Sequence, residues 1–359
     1  MIPIAHPLLG AEEADAVTAV LASGMIAQGP VTTAFEQEFA AYCRVKHAVA
    51  VNSGTAALHA ALLAAGVGPG DEVVVPAFTF FATASSVSMC GATPVFADVD
   101  PDLFTIDPAS VHDRITPRTK AVIGVHLYGQ PCDAGALREV CDDRHLVFIE
   151  DAAQAHGAEY HGKRTGSLGD LACFSFYATK NMATGEGGMV TTSSDDYDAR
   201  LRRVINHGQA DKYLHTELGY NYRLTDIAAA IGRVQLKKLD GFNRRRQENA
   251  AYYDDHIHAA GVLTPPVAAG MTHVYHQYVL RVTGDASLSR DDLMAALREK
   301  GIGCAVHYPI ALNRQPYYAG ADSCPVAESL ADSVFSIPVH PAVSDEERTY
   351  ICDTINEVV

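Results

Sequence analysis

A lysine follows a short apolar run in the middle of the chain and precedes a glycine-rich segment. The apolar run covers residues 174–176, the lysine is Lys180, and the glycines lie within residues 184–189. An amine that is partly removed from water in such a place becomes less basic, and its neutral form attacks aldehydes. Because most isolated lysines are solvated surface residues, Lys180 is informative only together with the groups that accompany it.

Two carboxylates, Glu150 and Asp151, end another apolar run. A carboxylate fixed at the end of a strand can hold a proton on a heterocyclic nitrogen that faces it. Acidic pairs in this position also bind cations, but no histidine or further acid stands at ligand spacing, so we expect no metal site. A helix N-cap is an equally good interpretation of these two residues.

The third candidate is the segment Ser53, Gly54, Thr55 and Ala56, which follows a strand-like run and opens an alanine-rich stretch. A helix that begins here offers unpaired N–H groups and the positive end of its dipole, and small residues let a phosphate approach them closely. The segment matches neither the dinucleotide-binding fingerprint nor the Walker pattern, which favours a single phosphate monoester. Taken alone, such a segment more often forms only an N-cap.

These three features together match one cofactor. A helix start for one phosphate, an acid for a ring nitrogen and a lysine able to form a Schiff base are what pyridoxal 5'-phosphate requires. Phe80 would supply an aromatic face for the ring of this cofactor, although on its own such a residue is more typical of a core.

The elements that must position these residues alternate between strand-like and helical patterns. Strand-like runs cover residues 48–51, 72–75, 94–97, 121–126, 146–150, 172–176 and 188–191, and helical patterns cover residues 55–65, 134–141 and 197–205. This alternation predicts an α/β fold with a mainly parallel sheet between layers of helices. Ligands of such sheets bind at the carboxyl ends of the strands, where all three candidate segments would lie.

After Leu224 the pattern changes to a long helix that runs toward His258, and a smaller α+β part follows. We place a domain junction near residues 240 and 241. This choice predicts a large domain of residues 1–240, which includes the N-terminal segment, and a small C-terminal domain of residues 241–359.

Composition limits the classes of partner. The 359 residues include 27 basic and 43 acidic side chains, for a formal net charge of -16, and 48% of the residues are hydrophobic. The length suggests about two domains with a sizeable core. The acidic balance argues against nucleic acid and against an anionic membrane surface, since both bind clustered Lys and Arg. No apolar stretch reaches the roughly 20 residues that cross a bilayer, and no secretory signal is present, so we expect a cytoplasmic protein.

The chain resembles the DegT/DnrJ/StrS family of sugar aminotransferases, which have the fold-type I architecture of aspartate aminotransferase. The resemblance extends from Gly29 and Pro30 to residues 336–341 and includes all three candidate segments. It implies a transferase that depends on pyridoxal phosphate, with a mainly parallel, seven-stranded sheet in the large domain and a smaller α+β domain.

The resemblance also implies roles for the matching residues. Lys180 would be bonded to the cofactor and would act in catalysis with Asp151, which would hold the proton on the ring nitrogen. Gln154 would lie near the 3'-oxygen of the cofactor. The other cofactor contacts would come from Gly54, Thr55, Ala56 and Ser175 at the phosphate and from Phe80 stacked on the ring.

Two further implications concern the partner chain and the reaction. Asn221 would reach the phosphate bound by the neighbouring subunit, which implies a homodimer with shared active sites. Family relatives that remove a sugar hydroxyl carry histidine at the position of the lysine, so Lys180 favours amino transfer. For the substrate, the candidate contacts are Arg223, His307 and Tyr308, with a structural ion pair as an equal alternative for Arg223.

By this resemblance, the chain moves an amino group from an amino acid, L-glutamate by expectation, to a nucleotide-linked ketosugar. The cofactor would alternate between pyridoxal and pyridoxamine 5'-phosphate, and a 4-keto sugar is favoured over a 3-keto sugar. A ketocyclitol is the alternative acceptor. A regulatory or binding relative without activity is disfavoured, because such a protein would be free to lose Lys180, Asp151 or the phosphate site.

Overall fold

The computed structural model describes all 359 residues. The α-helices are α1 Ala11–Ser23, α2 Pro30–Cys43, α3 Gly54–Ala64, α4 Phe81–Met89, α5 Pro108–Arg114, α6 Ala134–Arg144, α7 Asp195–Val204, α8 Asp226–His256, α9 Arg290–Glu299, α10 Pro325–Ser333 and α11 Asp345–Val358. The strands are β1 His47–Val51, β2 Glu72–Pro76, β3 Thr93–Ala97, β4 Thr119–Val125, β5 Val147–Asp151, β6 Glu159–Tyr160, β7 Lys163–Arg164, β8 Leu171–Ser175, β9 Gly188–Thr192, β10 Gln209–Asp211, β11 Leu214–His215, β12 Val262–Leu263, β13 Met271–Thr272, β14 Tyr278–Val282 and β15 Val334–Ile337. No helix combines the length and the apolar character of a membrane span.

The central sheet has seven strands in the order β1-β9-β8-β5-β4-β2-β3. Six of these strands are parallel to one another, and β9 alone runs antiparallel to its neighbours β1 and β8. The α/β fold with a mainly parallel seven-stranded sheet is therefore confirmed. The seven predicted strand runs are the seven strands of this sheet, with ends that differ by at most two residues.

Helices cover both faces of the sheet. Val73 and Val75 pack into a core that also contains residues of α3, α4 and α7, whereas Val74 packs into the core that contains residues of α5 and α6. Since successive side chains of a strand point to opposite faces, a strand covered on both faces must be apolar along its whole length. This requirement explains why the strands are continuous runs of Val, Ile and Ala rather than alternating patterns.

The C-terminal part contains an antiparallel sheet in the order β12-β14-β15, with α9 and α11 packed in the same core. Ile2, at the other end of the chain, belongs to this core as well and pairs with Ile302. Helix α8 runs without interruption through residues 240 and 241. The division into residues 1–240 and 241–359 stays a prediction.

Candidate active site

A cavity of about 340 Å³ opens at the carboxyl ends of β1, β2, β4, β5 and β8. Because these strands are parallel, their ends meet at one edge of the sheet, as the sequence predicts. The predicted site residues that line this cavity are Gly54, Thr55, Phe80, Asp151, Gln154, Ser175, Lys180, His307 and Tyr308. Ala56, Asn221 and Arg223 do not line it.

Lys180 lies in the loop that joins the antiparallel strands β8 and β9. Its backbone N–H donates to the carbonyl of Tyr177 (2.9 Å), and its side chain lines the cavity. Lys180 is half-buried. Burial lowers the pKa of Lys180 to about 8, against the opposing effect of the Asp151 carboxylate. A sizeable fraction of this amine is therefore neutral near physiological pH, as a nucleophile requires.

Asp151 ends β5 and is 6% exposed. Its Oδ2 accepts a hydrogen bond from the Thr83 hydroxyl (2.8 Å), and its Oδ1 accepts one from the Ala153 N–H (3.2 Å). Burial raises the pKa of this carboxyl group, while Thr83, Ala153 and Lys180 act in the opposite direction. The carboxylate is thus fixed in orientation but still lines the cavity, where it can pair with a protonated ring nitrogen.

Gln154 bridges the two parts of the chain. Its Oε1 accepts from the Tyr128 N–H (2.7 Å), and its Nε2 donates to the Tyr308 hydroxyl (3.0 Å). The Tyr308 ring lies 5.7 Å from the Phe80 ring, centroid to centroid. Phe80 is 54% exposed, so the alternative of a core residue is wrong for it.

The start of α3 fits a phosphate group closely. Ser53 is its N-cap, and the Ser53 hydroxyl accepts from the Ala56 N–H (3.1 Å), which leaves the Gly54 and Thr55 N–H groups without a helical partner. A Cβ atom at Gly54 would lie 2.7 Å from the Cβ of Ser175, so only glycine lets the helix start meet β8. The N-cap and phosphate interpretations are therefore compatible, but the Ala56 N–H is already used within the protein.

Asn221 and Arg223 lie on the chain segment next to β1 rather than in this cavity. Asn221 is exposed and forms an antiparallel bridge with Asn206. The Arg223 guanidinium donates to the Asn206 side-chain oxygen (2.6 Å). Arg223 forms no ion pair with an acidic residue. Its structural contact is instead a hydrogen bond to a neutral amide. The roles of Asn221 at a neighbouring phosphate and of Arg223 at a substrate stay predictions.

His307 and Tyr308 bring the C-terminal part to the cavity. The Nδ1 atom of His307 lies 3.2 Å from the Ser336 hydroxyl, and its carbonyl accepts from the Tyr128 hydroxyl. Burial lowers the pKa of His307, and Lys180 lowers it further, so the imidazole is neutral. A neutral imidazole can both donate and accept hydrogen bonds, which suits contact with hydroxyl groups.

Several site residues escaped the sequence analysis. Thr83 orients Asp151 from α4, Tyr128 holds Gln154, and His276 and Gln277 line the cavity just before β14. No local signal marks His276 or Gln277, because they reach the cavity through the packing of the C-terminal part. Thr83 was recognisable in principle from its place in the first turn of the helix after β2.

The residues present fit pyridoxal phosphate. The helix start with its glycine fits the phosphate, the oriented Asp151 suits a ring nitrogen, and the neutral fraction of Lys180 suits the aldehyde. Among the described residues, no three His, Cys, Asp or Glu side chains are arranged to hold a metal ion. The eight cysteines are all buried and form no disulfide.

Comparisons with known proteins agree on one family. The family model for DegT/DnrJ/EryC1/StrS aminotransferases matches residues 7–356. A Geobacillus stearothermophilus protein named pleiotropic regulatory protein is 43% identical over 94% of this chain and 92% of its own length. The dTDP-3-amino-3,4,6-trideoxy-alpha-D-glucose transaminase of Streptomyces venezuelae is 42% identical over 98% of this chain and 93% of its own length. The solved structure of S. venezuelae DesV in complex with a ketimine intermediate is 43% identical and has a TM-score of 0.93. The match covers 97% of this chain and 94% of the DesV chain.

Proposed function

The chain belongs to the DegT/DnrJ/EryC1/StrS aminotransferase family, and we propose that it transfers an amino group from L-glutamate to a nucleotide-linked ketosugar. It is an aminotransferase, and relatives in this family act on nucleotide-linked sugars. Membership also implies pyridoxal phosphate as the cofactor. The observation that carries the proposal is the presence of Lys180, Asp151 and the α3 start in one cavity.

We assign the cofactor contacts residue by residue. Asp151 would pair with the ring nitrogen, and Gly54, Thr55 and Ser175 would hold the phosphate. Phe80 would lie against the ring and Gln154 near its 3'-oxygen, whereas the occupied N–H of Ala56 counts against a direct contact. Bound in this way, the cofactor would supply an electron sink and a carrier for the amino group, alternating between its pyridoxal and pyridoxamine forms.

Lys180 is the proton carrier in this proposal. A general base works best when its pKa lies near the operating pH, and burial brings Lys180 to about 8. Its amine would remove a proton from Cα of the donor and return it to C4' of the cofactor. Asp151, held by Thr83 and Ala153, would keep the ring nitrogen protonated throughout.

We further propose a homodimer in which the partner subunit's Asn221 reaches the phosphate. The exposed position of Asn221 outside its own cavity supports this role. His307 and Tyr308, which line the cavity, would contact the sugar. Arg223 would be a further contact of the substrate. From the sequence we also propose a cytoplasmic location.

The acceptor could differ in the position of its ketone or in its chemical class. We propose a 4-keto sugar on the family resemblance, although the S. venezuelae relative is named for a 3-amino product. A ketocyclitol is the second alternative. The relative named as a regulatory protein raises a non-enzymatic role again, but a purely regulatory protein has no need for a lysine of lowered pKa beside an oriented carboxylate.

The experiment is a substrate panel with a matched pair of variants. Enzyme loaded with pyridoxamine phosphate is offered 3-keto and 4-keto sugars linked to UDP, GDP or dTDP, and a ketocyclitol, and amino products are identified by mass spectrometry. We expect the wild type to form product from one nucleotide sugar and Lys180→Leu to show no turnover. Lys120→Leu, which changes an exposed lysine, should behave as the wild type. Normal turnover by Lys180→Leu, or product from the ketocyclitol alone, contradicts the proposal.

A further inference from the structure

Arg246, on α8, is the one buried arginine of the chain and is 5% exposed. Its Nη1 donates to the backbone carbonyls of Tyr275 (3.0 Å) and His276 (3.3 Å). Its Nε is buried without a hydrogen-bond partner, and its Nη2 makes no hydrogen bond. No carboxylate pairs with this guanidinium, and burial lowers its pKa to about 10, which still leaves it charged at neutral pH.

Arg246 lines a small cleft next to the main cavity. Residues 6–8 and Pro341 form part of its wall, and Thr179 and Lys180 line both the cleft and the main cavity. The cleft has room of about 20 Å³, which is enough for one water molecule or a group of similar size. Because Thr179 and Lys180 line both spaces, the cleft adjoins the main cavity, and its volume suits a small end group of a ligand.

The positive charge of Arg246 at this cleft has no negatively charged partner. Burial holds the pKa of His276 well below its usual range, and the nearby charges of Lys180 and Arg246 lower it further, so the imidazole stays neutral and the two cations lie in one region. An unpaired buried charge is costly, and proteins compensate such charges with a partner or a ligand. The Asp151 carboxylate accepts from Thr83 and Ala153, and no carboxylate pairs with Arg246.

We propose that Arg246 binds a carboxylate of the amino-acid donor. The Nε and Nη2 atoms form the edge of the guanidinium that pairs with both oxygens of a carboxylate, and this edge is the unpartnered one. The position beside Lys180 places that carboxylate next to the amino group that is transferred. This inference rests on the proposed function, since it names the group by which the donor is recognised.

A purely structural role for Arg246, in which its hydrogen bonds hold the backbone of residues 275 and 276 in place, makes a different prediction. Loss of these hydrogen bonds would disturb every reaction of the site equally. Loss of a carboxylate site would affect only ligands that carry a carboxylate. The test therefore compares a donor that has this group with a donor that lacks it.

The variants are Arg246→Met and Arg246→Lys, with Arg245→Met as the matched control. Arg245 is the neighbouring arginine on the same helix, and it pairs with Asp345 at the surface. The amino-transfer half-reaction is measured with L-glutamate and with 1-phenylethylamine, and binding of glutarate to the protein is measured by calorimetry. The thermal midpoint of each variant reports whether it folds.

For Arg246→Met we expect kcat/KM with L-glutamate to fall about 100-fold, as is typical when a charge-assisted pair is lost, and glutarate binding to weaken similarly. The rate with 1-phenylethylamine should stay within about twofold of the wild type. Arg246→Lys keeps the charge but not the paired donors, so it should recover part of the glutamate rate. Arg245→Met should match the wild type in all assays.

Equal losses with both donors, or unchanged glutarate binding in Arg246→Met, would overturn the carboxylate site. These results differ from a failure of the proposed function. If the wild type transfers no amino group at all, the proposed function fails, and glutarate binding still tests Arg246. If the wild type transfers and Arg246→Met loses nothing, only the carboxylate site is wrong.

Discussion

Removing the charge of Asp151 should make Lys180 less basic. Burial lowers the pKa of Lys180 from 10.5 to about 8, and the Asp151 carboxylate is the one group that counteracts this effect. In Asp151→Asn the counteracting charge is gone while the burial remains. The pKa of Lys180 should therefore fall further below 8.

The size of the effect follows from the fraction of neutral amine. With a pKa of 10.5, about one lysine in 3,000 is neutral at pH 7, whereas with a pKa of about 8 the fraction is about one in eleven. The environment of Lys180 thus increases its neutral fraction by about 300-fold at pH 7. Asp151→Asn should increase this fraction again, toward its limit of one.

Competitive labelling with acetic anhydride measures this fraction in the protein without cofactor, since only the neutral amine reacts. The label on Lys180 is followed against pH by peptide mass spectrometry, with the exposed Lys120 as the internal reference for reagent. Glu186→Gln is the matched control, because Glu186 is a carboxylate at the rim of the same cavity that does not contribute to the pKa of Lys180.

The expected apparent pKa of Lys180 is about 8 in the wild type and in Glu186→Gln, and lower in Asp151→Asn. An apparent pKa close to 10.5 in the wild type would refute the argument that burial tunes this lysine. A rise in Asp151→Asn would show that the carboxylate does not stabilise the ammonium form.

Three further changes test other parts of the site and the fold. Gly54→Ala places a Cβ 2.7 Å from that of Ser175, so pyridoxal phosphate should bind about tenfold or more weakly in equilibrium dialysis, with folding retained in circular dichroism. Thr83→Val removes the hydroxyl that orients Asp151, which should lower kcat by about 10- to 100-fold, and Thr83→Ser should restore it. Burial raises the pKa of Glu13, but hydrogen bonds from Lys238 and Gln235 lower it to about 2, so its contribution to stability is complete above about pH 4.5 and is lost as the pH falls toward 2. In Glu13→Gln, the thermal midpoint should fall less between pH 4.5 and pH 2 than in the wild type. An unchanged fall would contradict the stabilising role of the Glu13 carboxylate.

Sequence and structure agree best where a signal is local. The seven strand runs were recognisable because strands covered on both faces must be continuously apolar, and this requirement shows in runs such as Val73–Val75. The site motifs were recognisable for a related reason. Each of them follows directly after a strand, and the topology of a parallel sheet brings such positions to one edge.

Contacts between distant parts of the chain gave no such signal. Asp226 accepts hydrogen bonds from the N–H groups of Gly29 and Thr32 at the start of α2, almost 200 positions away. The sequence predicts a junction near residue 240, yet α8 passes through it unbroken. A helix that connects two cores carries residues of both, so its pattern shows no boundary.

The sequence by itself determined the α/β class, the order of the sheet-forming runs, and the residues that could hold an aldehyde cofactor, because these depend on side-chain type and on short spacing along the chain. The tertiary structure decided which of those residues share a cavity, and it added those that reach it from elsewhere. The neutral fraction of Lys180 and the unpaired edge of Arg246 belong to this second group. Both depend on burial and on neighbouring charges, which exist only once distant segments have packed together.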